Sequence, residues 1–251
     1  MKIISDEEIQ EVQRNYKTQY QPFRPYHLPA EECVRLIGNY QSLIKTQNGM
    51  DTDDYCVPED NKVARYMKQY AGKRALLLGV GTGREVVTAK ELGMEAYGIT
   101  LGSRNVDFGR NYLGLSEVEL QEVAMEVMPF RSNVFDVVAG FQIFEHFVSP
   151  LLVLLELGRV IKIGGQLILE WPPANEQYSM GDNPHHQICY TPGQAKVLFQ
   201  KAGFGDIKLY YNDMSPIPES EYWKGDQNKM LVIEGTKYPT GQEYILNAWS
   251  R

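Results

Sequence analysis

Cysteine is scarce in this sequence, runs of basic residues are missing, and no long apolar stretch occurs. Each absence removes a class of protein. The three cysteines, Cys33, Cys56 and Cys189, are far apart, odd in number and never spaced as CxxC. A disulfide framework is therefore not expected, and free thiols in a reducing, cytoplasmic compartment fit best. The formal net charge is −7 and lysine and arginine never cluster. An acidic surface repels phosphate backbones and anionic lipid, so neither nucleic acid nor a membrane surface is an expected partner. The longest apolar run, Leu151–Leu155, is far too short to span a bilayer. The opening "MKIISDEEIQ" lacks the apolar core of a signal peptide. What remains is an ordinary globular composition, and 251 residues suffice for one substantial core with appendages.

Two regions differ in pattern. Residues 1–72 read as a helical extension. Ser5 to Glu8 form a capping-box signature opening a polar helix to about Tyr20. "QPFRPYHLP" breaks it with three prolines. "AEECVRLIGNYQSLIKTQNG" and "PEDNKVARYMKQYAG" follow as two more helices, each with a glycine at its end. Tyr16, Tyr20, Phe23, Tyr26 and His27 could close this extension over a cleft as a lid, or simply dock it.

From Lys73 to residue 251 strand and helix patterns alternate. "RALLLGV", "EAYGITL", "EVELQEVA", "FDVVAGFQ", "QLILEWP", "DIKLYYND" and "KMLVIEGTK" read as strands. "GREVVTAKELG", "SRNVDFGRNYLG", "PLLVLLELGRVIKIGG" and "TPGQAKVLFQKAGF" read as helices, the third running to its Gly164-Gly165 stop and the last capped by Thr191. Such alternation predicts a doubly wound α/β domain: a mostly parallel sheet with helices on both faces, binding ligand at the carboxyl ends of its strands.

The first strand ends in "GVGTG", where Gly79, Gly81 and Gly83 alternate with Val80 and Thr82 before a helix begins. Glycine lets the chain turn sharply and lets a ligand approach where a Cβ would stand. A helix start beyond it favours an anionic group. Close packing also explains glycines at such a turn. A dinucleotide would ask for GxGxxG and an acidic end to the second strand. Here Arg84 follows the third glycine and Thr100 ends the second strand, which weakens that reading.

These segments resemble the class I S-adenosylmethionine-dependent methyltransferases. "ALLLGVGTGREV" is similar to the family's first motif. "MPFRSNVFDVVAGFQIFEHFVSPLLVLLELGRVIKIGGQLILEWP" and "YTPGQAKVLFQKAGF" resemble its later segments, in the same order. The resemblance covers about residues 73–210. It implies a Rossmann-like, seven-stranded methyltransferase fold, S-adenosyl-L-methionine as cofactor, and transfer of a methyl group to an oxygen or nitrogen of a small molecule.

It also implies roles. Gly79, Val80, Gly81, Thr82 and Gly83 bracket the methionine and ribose of the cofactor. Thr100 and Leu101 lie by ribose and adenine, Met125 and Glu126 flank the adenine, and Phe141 and Gln142 border the sulfonium. Three positions depart from the family's pattern: Leu77, Thr100 and Ala124 stand where acidic residues are common. A degenerate member that binds without catalysis is the competing expectation. The family's nucleic-acid signature after the fourth strand, Asn/Asp-Pro-Pro-Tyr/Phe, is missing, as is a Pro-Cys pair.

His146, His185 and His186 are the candidates for taking the acceptor's proton, since an unperturbed imidazole titrates near ~6.5; His146 also reads as a structural or cofactor-edge residue, and the loop pair as capping the helix at Thr191. Asp182, His185 and His186 could in principle hold a metal. Their spacing is not a zinc pattern, and no metal is expected. The late loop "NDMSPIPESEYWKGDQNK" could shape an acceptor pocket. Oligomeric state is not legible.

Overall fold

In a computed structural model, residues 62–174 and 186–239 are described. The first two helices of the extension, Tyr16, Tyr20, Phe23, Tyr26, His27, Asp182, His185, Cys33 and Cys56 lie outside them. The strands are β1 (Arg74–Leu78), β2 (Glu95–Thr100), β3 (Leu120–Glu122), β4 (Phe135–Phe141), β5 (Ile161–Trp171), β6 (Phe204–Tyr211) and β7 (Leu231–Lys237). The helices are α1 (Lys62–Met67), α2 (Arg84–Glu91), α3 (Ser103–Tyr112), α4 (Pro150–Val160) and α5 (Pro192–Lys201).

Together the described strands make one seven-stranded sheet, ordered β3-β2-β1-β4-β5-β7-β6. β1 to β5 pair in parallel and β7 runs antiparallel between β5 and β6. This is the doubly wound architecture expected from the alternating pattern. The strand order reverses between β1 and β4, which places a crevice at their carboxyl ends.

Burial on both faces explains the continuous apolar runs of the central strands. Side chains alternate between two cores. Leu76, Leu78, Ile99, Val138, Leu167 and Leu169 face one. Ala75, Leu77, Ala96, Val137, Ala139 and Ile168 face the other. Leu77, at a position often acidic in the family, is thus a buried core residue at 1% exposure.

Two expected boundaries shift. The helix opened by Pro150 stops at Val160 instead of running to Gly164. Ile161 is already extended and pairs with Phe135. β-branched Val160 and Ile161 are fully buried there, and sheet pairing overrides the helical periodicity. The next aligned pair is Val137 with Gln166, so residues 162–165 form a bulge. A Cβ on Gly165 would stand 2.9 Å from the Asp136 carbonyl oxygen, which is why the bulge takes glycine. The third strand is also shorter than expected, at three residues.

Elsewhere the local signals hold. Thr191 caps α5 in a complete capping box with Gln194. Glu156 and Arg159 of α4 pin the Met128–Phe130 segment. Glu156 accepts from the Met128 N–H at 2.8 Å, and Arg159 donates to the Phe130 and Met128 carbonyls at 2.7 and 3.1 Å.

Candidate functional site

The glycine loop sits at the carboxyl end of β1, beside the crevice. All three glycines are left-handed, with φ of 65°, 50° and 90°. Their surroundings differ. A Cβ on Gly79 would meet Ile143 Cδ1 at 2.7 Å, and one on Gly83 would meet Leu115 Cδ1 at 2.5 Å. Those two positions are closed by the protein's own packing. A Cβ on Gly81 would meet nothing within 4 Å. Gly81 therefore offers bare backbone to open space, as a ligand cradle requires. Val80 is buried at 5% exposure in the core, so only its backbone faces the loop. Gly109 lets α3 press on the loop, since a Cβ there would lie 2.4 Å from the Thr82 carbonyl oxygen.

Beside the loop, Thr100 is buried and its hydroxyl donates only a long 3.4 Å bond to the Leu101 carbonyl. The acidic group on this side comes from the neighbouring strand. Glu122 pairs with Thr100 across the sheet, and its Oε1 accepts from the Gly102 N–H at 3.2 Å. Met125 is buried within the core cluster. Glu126 is half-buried, and desolvation pushes its carboxyl upward. Glu85, in the first turn of α2, is shifted the same way by the same cause.

Phe141 and Gln142 end β4. The Phe141 ring lies 5.5 Å from that of Tyr66 on α1. Gln142 is held at φ 55°, its N–H donating to the Glu170 carbonyl at 2.9 Å. Its side chain donates to Glu170 Oε1 at 3.1 Å, and Tyr66 donates to Glu170 Oε2 at 2.8 Å. Lys62 forms an ion pair with the same carboxylate, which is fully buried. Burial and then Glu170 raise the Tyr66 phenol well above its ordinary value, so it stays a neutral donor.

A second cluster stands just beyond, in the 3-10 turn Phe144–His146. Glu145 is 1% exposed, and its Oε1 lies 3.9 Å from Nε2 of both His146 and His186. Among the described residues its Oε2 has no hydrogen-bond partner. Burial pushes this carboxyl up to about 8. The Glu145 carbonyl accepts from the Gln187 and Ile188 N–H groups at 2.7 and 3.3 Å, which fixes the segment bearing His186. Cys189 Sγ lies 3.9 Å from His186 Nδ1, and burial raises its thiol to about 11. The late loop leaves Trp223 73% exposed.

The structure thus brings the loop glycines, Thr100, Phe141, Gln142, His146 and His186 to one end of the sheet. Sequence reasoning missed Lys62, Tyr66, Glu122, Glu145 and Glu170. A carboxylate inside the apolar strand "QLILEW" was the one legible signal, because a buried charge needs partners.

Fold and glycine turn define a Rossmann-like methyltransferase domain. Residues 76–169 match the family model described as "Methyltransferase domain". The Ubiquinone biosynthesis O-methyltransferase of Nitrosococcus oceani is 31% identical over 101 residues, 39% of this chain and 42% of that protein. The tRNA U34 carboxymethyltransferase of Marinobacter nauticus is 32% identical over 158 residues, 58% of this chain and 48% of that protein. The chain thus spans less than half the length of these curated relatives. A solved SAM-dependent methyltransferase from Aquifex aeolicus superposes with a TM-score of 0.57 at 18% identity, over 78% of this chain and 97% of that one. Residues 76–169 are thus similar to a methyltransferase domain, and the fold is that of S-adenosylmethionine-dependent methyltransferases of known structure. The chemistry of the turn fits a nucleoside cofactor of that kind: bare backbone faces open space at Gly81, and Glu122 stands on the strand beside Thr100. Among the described residues, no helix is long and apolar enough to cross a membrane.

Proposed function

We propose that the chain transfers the methyl group of S-adenosylmethionine to an oxygen or nitrogen of a small molecule. The observation that carries this is the left-handed turn at Gly81, open where a side chain would otherwise fill it, at the strand-order reversal. When bound, the cofactor supplies a methyl group activated by its positive sulfur. The chain's own residues position and surround it.

Gly79 to Gly83, Thr100, Leu101, Met125 and Glu126 line the cofactor side, and Phe141 and Gln142 border the reacting end. Glu170, fully buried at that end, pairs with Lys62, while burial holds Glu85 and Glu145 toward their neutral forms. His146 and His186, next to Glu145, are the groups placed to withdraw a proton from the acceptor, with His185 a third candidate beyond the described residues.

The acidic net charge supports a small molecule over tRNA as acceptor. One observation favours a second reading, a binding protein without catalysis: three positions commonly acidic in the family are neutral here. The test is release of S-adenosylhomocysteine when the protein meets S-adenosylmethionine and a panel of phenols, amines and carboxylic acids, with bulk tRNA as a separate arm. Turnover on a small molecule supports the proposal. Turnover only on tRNA, or tight cofactor binding with turnover on nothing, overturns it.

A further inference from the structure

We infer that Glu145, His146 and His186 form a binding site for a divalent transition ion of the zinc type. One ligand atom from each residue lies within 4.8 Å of the others, and two of those separations are 3.9 Å. Two imidazoles and a carboxylate are the donor set of open, catalytic zinc sites, which leave a coordination position for water or substrate. Donors at about 2 Å from a tetrahedral ion stand about 3.3 Å apart. Small rotations of the two rings would close most of the difference. The rings already meet edge-on, at 77° with centroids 5.0 Å apart, so neither blocks the other's approach.

A second observation points independently to a ligand. Among the described residues, buried Glu145 Oε2 has no hydrogen-bond partner. A carboxyl oxygen taken out of water and left unmatched is costly, and a cation matches it. The frame is also set before any ion arrives. His146 and Glu145 share one 3-10 turn, and the Glu145 carbonyl pins the backbone just after His186. Cys189 Sγ approaches His186 Nδ1, leaving Nε2 turned toward Glu145. His146, 21% exposed, gives the ion a way in.

The ion's binding stands on this geometry. Its role rests on the methyltransferase reading above, and replaces free imidazole as the group that activates the acceptor. A hydroxyl of the acceptor held on the ion gives up its proton to water more readily. Its oxygen then forms the new bond to the methyl carbon while the carbon–sulfur bond of the cofactor breaks. The electron pair of that bond stays on sulfur, which becomes a neutral thioether as the oxygen loses its negative charge. The acceptor class is therefore a hydroxyl compound able to chelate, such as a vicinal diol or a catechol.

The test uses the full chain, stripped with a chelator and titrated with cobalt(II), followed by visible ligand-field absorption and by equilibrium dialysis. One equivalent is expected, displaced by zinc(II), with affinity falling tenfold or more in His146→Gln and in Glu145→Gln. Should Glu145→Gln fail to fold, His146→Gln, at a more exposed position, decides alone. Absence of cobalt bands at millimolar ion overturns the site, as do bands equally strong in His146→Gln. S-adenosylhomocysteine titrated into the stripped protein separates the two readings. If it binds while cobalt does not, the ion site alone falls. If cobalt binds and the nucleoside does not, the methyltransferase reading and the ion's role fall together, and the ion site remains.

Discussion

The Tyr66 hydroxyl donates a 2.8 Å hydrogen bond to Glu170 Oε2, tying helix α1 to the carboxyl end of β5 across 104 residues of sequence. Glu170 is fully buried, and its other oxygen is served by Lys62 and Gln142. The arrangement makes α1 part of the site's wall.

Removing that hydroxyl leaves a buried charge short of one donor. Tyr66→Phe is expected to lower stability by about 1–3 kcal/mol and the melting temperature with it. An unchanged melting temperature by calorimetry would show that Lys62 and Gln142 already satisfy Glu170.

The loop glycines should separate in stability. All three hold left-handed backbone, which costs an L-residue about 1–2 kcal/mol. Gly81→Ala meets only that cost, since its Cβ enters open space. Gly83→Ala adds contacts of 2.5 Å to Leu115 Cδ1 and 3.1 Å to Leu120 Cδ2. Urea unfolding should rank wild type above Gly81→Ala above Gly83→Ala. The reverse order of the two variants contradicts the packing described.

Lys237 gives a pH dependence far from the site. Burial, then the charge of Arg159, lowers its amine from 10.5 to about 8. Its Nζ donates to the Asn133 side chain and to the Ile161 carbonyl. Between about 8 and 10.5 the native amine has shed its proton while the unfolded one keeps it. The unfolded state binds more protons there, so this group makes stability rise with pH by at most about 3 kcal/mol. Below about 8 its cost is constant. Lys237→Met should flatten that rise in unfolding free energies measured from neutral to alkaline pH. Equal slopes in both proteins would refute the shift.

On the nucleoside side, Glu126→Gln should weaken S-adenosylhomocysteine binding about tenfold or more, the loss of one charge-assisted contact. Glu122 is exposed, and Glu122→Gln should cost less. Equal affinities for Glu126→Gln and wild type would remove that residue from the site.

The sheet was legible because buried parallel strands write continuous apolar runs, and because Thr191, Pro150 and the loop glycines mark element ends chemically. The end of α4 was not legible. Val160 and Ile161 satisfy a helical and a strand pattern equally, and only pairing with Phe135 decides. The glycine turn was legible as a turn, but which glycine faces a ligand depends on where Ile143 and Leu115 pack. Glu145 and Glu170 acquire their meaning from partners distant in sequence. The approach of His186 to Glu145, 41 residues earlier, depends on backbone bonds that no local pattern announces.

The most direct measurement is calorimetric titration of S-adenosylhomocysteine into wild type and into Gly81→Ala. The account predicts saturable binding of one equivalent by the wild type and at least tenfold weaker binding by the variant, whose methyl group would stand in the nucleoside's place. No heat at millimolar nucleoside, or the same affinity in both proteins, would contradict it.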